Sequence, residues 1–221
     1  MAFFKTSTKK EDIKEGGESN YINKSGLYDV TILAPIVDVN DKGAATINMF
    51  VEYNNQQQVI YGQLRLNNND GSEAFSAKIF NKLCIIANVE DVEDPIDTEL
   101  PIGKDGTTKD VAVLEDFTDL DVKMWVQMEY GSYNGNITEK KVIKGFYRAD
   151  GASAEEIVND TEIGVSLEKS SKYFDNVKYK DGITSEQVEE WITAGRPKNT
   201  AGTVTTTTKP SFSKKKKFGV K

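Results

Sequence analysis

"AATINMFVEYNNQQQVIYGQLRLNNNDGSEAFSAKIFNKLCIIANV", residues 44–89, changes its hydrophobic period halfway along. In its first part apolar side chains alternate. Ile47, Met49, Val51 and Tyr53 share one face, and Asn48, Phe50 and Glu52 the other. Farther on, Ile60, Leu64 and Leu66 point one way and Tyr61, Gln63 and Arg65 the other. This is the pattern of two half-buried strands. Beyond Asn68 the period becomes 3.6, with Phe75, Ile79, Leu83 and Ile86 at helical spacing. Ser72 is placed to cap this helix, with Glu73 in its first turn. Cys84 falls inside the helix, where a buried structural thiol is expected.

The flanks extend the pattern. Upstream, "GLYDVTILAPIVDVN" (26–40) reads as a strand, with Pro35 marking a bend or bulge and Asp41-Lys42-Gly43 a turn. Downstream, residues 90–119 are acidic and punctuated by Pro and Gly. They read as a long loop, with a short element near Val111–Leu114. Two more strands follow, at 121–131 and 137–149, joined by an Asn134-Gly135 turn. Three strands, a helix and two strands is the connectivity of a five-stranded OB-fold barrel, so residues 26–150 are expected to be mainly β with one helix between strands 3 and 4. A generic antiparallel sheet packed on one helix fits the same pattern. Residues 1–25 read as a flexible arm, and 151–197 as a partly helical extension. Its helix, at 184–194, carries a capping box at Thr184 and Gln187 and an apolar stripe of Val188, Trp191 and Ile192. Residues 198–221 are low-complexity and expected to be disordered and basic.

Composition narrows the chemistry. The 221 residues include no histidine and one cysteine, which removes the commonest general base and nearly all zinc sites. No catalytic residue, metal ligand or cofactor is expected. The start lacks the apolar stretch of a signal peptide, and no apolar run approaches the roughly 20 residues of a membrane span. Cytoplasmic residence without membrane contact is the expectation. The formal charge is −7, but residues 209–221 hold six lysines and no acid, which leaves the remaining residues at −13. Such a body is not the usual footprint of a duplex-DNA binder. A local basic groove remains compatible with it, because binding responds to the field within a Debye length of roughly 8–10 Å.

Alternation places Phe50, Tyr61, Arg65, Lys123 and Trp125 opposite the expected core. In the last strand Lys144, Phe146 and Arg148 share one parity, and Lys141 and Tyr147 the other. Tyr130 and Tyr133 flank the last turn, and Lys140 follows it. Aromatic rings interleaved with cations form a stacking platform along an electrostatic track. Each stacked base contributes about 1–3 kcal/mol whatever its identity, and the cations release counterions from phosphates. Aromatic residues also favour strands in general, so core positions for some of these rings fit the same pattern. Other motifs are weaker. "DVNDKG" (38–43) reads as a turn, since a calcium loop starting there would place Met49 where its glutamate belongs. "GKDGTT" (103–108) lacks phosphate-loop spacing, and "EDVEDPIDTE" (90–99) reads as an acidic solvated loop.

The segments at 25–53, 58–89 and 119–150 together resemble the bacteriophage single-stranded DNA-binding proteins with an OB fold. The closing hairpin, Tyr133-Asn134-Gly135 followed by Lys141, Val142, Lys144, Gly145 and Phe146, is the most distinctive part. The resemblance implies sequence-independent binding of single strands in phage DNA replication, recombination or repair. It also implies an infected host's cytoplasm and partners among the phage's replication or recombination enzymes. Many members of that group end in an acidic tail that docks partners. This chain ends in "SFSKKKKFGVK", so that role does not carry over. Two other functions fit the composition: a structural or interaction β-domain of a virion or scaffold, and a metal-dependent nuclease using the acids at 90–99.

Overall fold

In a computed structural model, the described residues are 19–103 and 106–197. The arm up to residue 18 and the basic tail from 198 lie outside them. The described chain is mainly β. Eight strands run in order as β1 (Gly26–Val39), β2 (Ala45–Tyr53), β3 (Gln56–Arg65), β4 (Ile96–Leu100), β5 (Lys109–Val113), β6 (Leu120–Tyr133), β7 (Asn136–Arg148) and β8 (Lys178–Tyr179). Four α-helices accompany them: α1 (Ala77–Ala87), α2 (Ala154–Asn159), α3 (Val165–Ser171) and α4 (Ser185–Thr193).

β1 organises the sheet. Along one edge it pairs with β2, and β2 pairs with β3 through a turn at Asn54-Asn55. Both turn residues have positive φ, 49° and 60°, the backbone that matches the twist of a two-residue hairpin. β1's first half also pairs with β6, from Gly26 opposite Val126 to Ile32 opposite Leu120, and its second half pairs with β5 at Ile36 and Val37. β6 continues to β7 through the Asn134-Gly135 turn, with φ of 49° and 75°. β8 adds a two-residue parallel pairing to β6, and all other pairings are antiparallel. Among the described residues no ladder joins β3 to β7, so the sheet is open there.

The main core fills the concave side. Ile32, Ile47, Met49, Val51, Ile60, Leu64, Met124, Val126 and Ile143 are buried there, under Phe80, Leu83 and Ile86 of α1. At about 25 cal/mol per Å² of apolar surface removed from water, this is the main favourable term of the fold. Cys84 is buried in the same helix, and burial raises its thiol pKa, as expected of a structural thiol. Ile22 joins this core and donates its N–H to Gln58 Oε1 (3.0 Å), so the chain is already packed before residue 26, where the expected boundary of the arm lies.

α1 begins later than its sequence pattern predicts. Its N-cap is Ser76, not Ser72, and Phe75 lies outside the helix and exposed. Ser76 Oγ accepts the N–H of Arg65 (2.9 Å) and donates to the Arg65 carbonyl (2.8 Å). That pair ties the helix start to the end of β3, a tertiary contact that the 3.6 period does not encode.

The acidic stretch is more ordered than a loop. β4 and β5 form a hairpin, from Ile96 opposite Val113 to Leu100 opposite Lys109. It brings Val113 against Ala34, Ile36 and Phe50 in a second small core. The bulge in β1 falls between Ile32 and Ala34, just before Pro35.

The chain beyond Arg148 packs back onto the β6–β7 hairpin. Phe174 lies edge-on to Trp125 (ring centroids 5.3 Å) and to Tyr147 (6.3 Å). α4 carries the expected capping box, with Thr184 and Gln187 each accepting the other's backbone N–H. Its Val188 packs on Met128 and Tyr130.

Candidate nucleic-acid interface

The residues expected on one outward face divide into three groups. The first lies inside. Phe50 is 4% exposed, because the β4–β5 hairpin covers the outward side of β1 and β2. Phe146 is 3% exposed in the main core. Its parity was misassigned because β7 has a bulge. Gly145 sits opposite Trp125 and Ile143 opposite Val126, which leaves Lys144 as the extra residue. Phe146 therefore faces inward with Met124. Tyr130 is buried against α4, and its hydroxyl donates to Glu139 (3.1 Å). Burial, reinforced by the Glu139 carboxylate, pushes its pKa up to about 12.

The second group lies near the surface but is engaged within the protein. Trp125 is half-buried beneath Phe174, and its Nε1 has no hydrogen-bond partner among the described residues. Lys123 pairs with Asp29 at 2.5 Å. Arg148 forms a forked pair with Asp150, Nη2 to Oδ2 at 2.7 Å and Nε to both oxygens at 3.1 Å. Arg65 donates to Asn69 Oδ1 (3.0 Å) at the far end of β3.

Of the third group, Tyr61 and Lys140 meet at one cleft, and Tyr133 and Lys144 lie elsewhere on the β6–β7 hairpin. Where β3 and β7 run side by side without a ladder, a cleft of about 600 Å³ opens. Val59 and Tyr61 form one wall, Lys140, Lys141 and Val142 the other, and Lys180 comes in from the C-terminal extension. Tyr61 is 59% exposed. Tyr133, 70% exposed, stands at the tip of the same hairpin. Lys144 is half-buried in the β7 bulge. Burial lowers the Lys141 pKa, with Glu139 opposing and Arg196 adding to the effect.

More cations lie in and around the cleft than alternation predicts, although Glu129 and Glu139 also line it. Lys178 and Lys180 flank Tyr179 on β8, and Arg196 follows α4. Tyr179 is exposed on one side and stacks on Tyr130 with the other (6.1 Å, interplanar 20°). Glu129 sits between these two lysines. It pairs with Lys180, and with Lys178 at 3.6 Å. Glu139 pairs with Arg196 at 3.3 Å. These five cations and two carboxylates make a locally positive zone on an acidic body. Lys178, Lys180 and Arg196 were legible only as a Lys-Tyr-Lys triplet and a helix terminus. Nothing in their local pattern placed them beside Lys140.

Chemically, such a cleft can hold a polyanion along its cations and stack a flat ring on Tyr61. Among the described residues no cluster of three or more His, Cys, Asp or Glu side chains is arranged to hold a metal ion, and no helix is long and apolar enough to cross a membrane. No protein-family model and no curated protein matches this chain.

Proposed function

We propose that the protein binds single-stranded DNA without sequence preference, using the β3–β7 cleft and the tip of the β6–β7 hairpin. The observation that carries this reading is the juxtaposition of exposed Tyr61 with Lys140, Lys141 and Lys180, in a body whose average charge would repel a polyanion. Single strands suit it better than duplex. Their bases are free to stack on a ring, and one strand presents fewer phosphates to the acids elsewhere.

The sheet order supports an OB-type barrel as the frame. β1-β2-β3 and β1-β6-β7 supply its five strands, α1 sits between the third and fourth, and β4–β5 is an insertion. On this reading the unladdered β3–β7 seam is the partly open side of the barrel. The role is non-catalytic: protection of single strands during phage DNA replication, recombination or repair in the infected cell. The replication or recombination enzymes acting on the same strands are the partners this implies.

Fluorescence anisotropy of a labelled oligo-dT, titrated at two salt concentrations, tests the proposal. Tryptophan quenching is a poor reporter, because Trp125 is packed under Phe174 and Trp191 donates to the Pro197 carbonyl (3.1 Å). Salt-sensitive binding without cleavage is the expected result. No binding at low salt would favour an interaction domain, and Mg²⁺-dependent shortening of the oligomer would favour a nuclease.

A further inference from the structure

The cations contributed by the C-terminal extension are not presented bare. Glu129 is 7% exposed, and both of its oxygens are engaged, one by Lys178 and the other by Lys180. Burial opposes its ionisation, but the two ammonium groups outweigh burial and hold its pKa below the usual range. Lys140 sits directly across the β6–β7 ladder from it. Glu139 accepts from Arg196 and from the Tyr130 hydroxyl. Each carboxylate thus occupies the place where a phosphate oxygen would satisfy the same donors.

The backbone that carries these cations is held independently of either carboxylate. β8 is fixed by its backbone pairing to β6, including Lys180 N–H to the Tyr130 carbonyl (2.8 Å). Arg196 is held by its own N–H to the Trp191 carbonyl (2.9 Å), and its guanidinium lies over the Trp191 ring (5.8 Å). The side chains of Lys178 and Lys180 remain about half exposed, so an incoming phosphate can reach them.

We propose that Glu129 and Glu139 are built-in phosphate surrogates, and that Lys178, Lys180 and Arg196 form a second phosphate-contacting segment of the interface. In the free protein the two carboxylates engage these three cations and offset part of their charge. A bound strand takes the cations over, so its phosphates compete with an internal anion for each contact. This sets affinity below what the cation count would give. The inference rests on the cleft being a single-strand interface.

Glu129→Gln tests it. The substitution keeps the shape and leaves an amide oxygen for Lys180, but removes the charge. The expected result is oligo-dT affinity roughly fivefold higher at low salt, the scale of one unit charge at contact distance in water. The log–log salt slope should also steepen by about 0.7 for each phosphate newly engaged. Glu139→Gln should act in the same direction, and it carries the test if the first variant fails to fold. In the triple variant E129Q/K178Q/K180Q the gain should vanish. A gain that survives loss of both lysines would mean that only the long-range field changed, and would overturn the proposal. So would unchanged or weaker binding by a variant with a normal thermal transition. If the wild-type protein itself binds no oligomer, the single-strand reading fails first. If it binds and neither variant tightens, only the surrogate role fails.

Discussion

Trp125 on β6 and Tyr61 on β3 both point away from the main core, Trp125 between buried Met124 and Val126 and Tyr61 next to buried Ile60. One ring ends beneath Phe174, and the other opens onto a cleft lined by lysines. The strands themselves do not make this difference. It comes from what the chain does between and after them. The β4–β5 hairpin covers the outward side of β1 and β2, and the segment after Arg148 covers the outward side of β6 and β7. The β3–β7 seam is what they leave uncovered. An outward-facing aromatic in a sheet is thus either the floor of a second core or a site, depending on segments remote in sequence.

Removing the cover is the largest test of that contrast. Phe174→Ala should destabilise the fold by about 3 kcal/mol, the low end for a buried Phe truncation, read as a shift in the urea midpoint. Oligomer affinity should stay within about twofold, because the cleft is built elsewhere. A loss of affinity at conditions where the variant is still folded would place Trp125 in the interface after all.

The two tyrosines of the hairpin repeat the contrast within four residues. Tyr130 is buried, with its pKa pushed up to about 12, whereas Tyr133 at the tip is exposed. In the unfolded chain a tyrosine ionises near pH 10. Between about pH 10 and 12 the unfolded state therefore loses the Tyr130 proton while the folded state keeps it, and stability falls as pH rises. The slope from this one group is at most about 1.4 kcal/mol per pH unit. Tyr130→Phe should flatten that part of the denaturation profile.

How far the sequence foretold this follows from the same physics. Wherever one face of a strand is buried by the sheet's own core, period-2 alternation was decisive. Ile47, Met49 and Val51, and Val122, Met124 and Val126, all face inward as their spacing predicts. The helix between β3 and the later strands was legible from its 3.6 period, although its first turn was not, because Ser76 is recruited by a contact with Arg65. Phe146 was misread through a bulge, since one inserted residue reverses every later face assignment. Phe50 and Trp125 were misread for another reason. Their covers come from short, weakly patterned pieces, a five-residue strand and a single Phe174, and alternation carries no information about which face these will choose. Tyr130 shares the parity of Met124 and Val126, and its burial under α4 follows that parity rather than its place beside the turn.

On the uncovered side, Tyr61→Ala should weaken oligo-dT binding by about 1–3 kcal/mol, the range for losing one stacked base. Its effect on stability should stay within about 0.5 kcal/mol, as for an exposed site. This is the reverse of the Phe174 profile. If Tyr61→Ala proves destabilising while binding persists, the two rings would have exchanged roles, and the cleft would be a packing feature.

Lys140→Gln is the smallest and most specific test. Lys140 is exposed at the cleft, directly across the ladder from Glu129, whose charge is already taken up by Lys178 and Lys180. No ion pair is seen for it among the described residues. It thus has little to lose within the folded protein, and its substitution should leave the thermal midpoint unchanged. If it neutralises one phosphate, the log–log salt slope should fall in magnitude by about 0.7, with nearly the same loss for oligo-dT and for mixed-sequence oligomers. Lys123→Gln is the matched control from the covered face. Lys123 pairs with Asp29 and does not line the cleft, so its loss should leave the slope as it was. Equal slopes for the two variants would mean that the open seam does not collect phosphates differently from the rest of the surface, and the contrast between the two faces would lose its functional meaning.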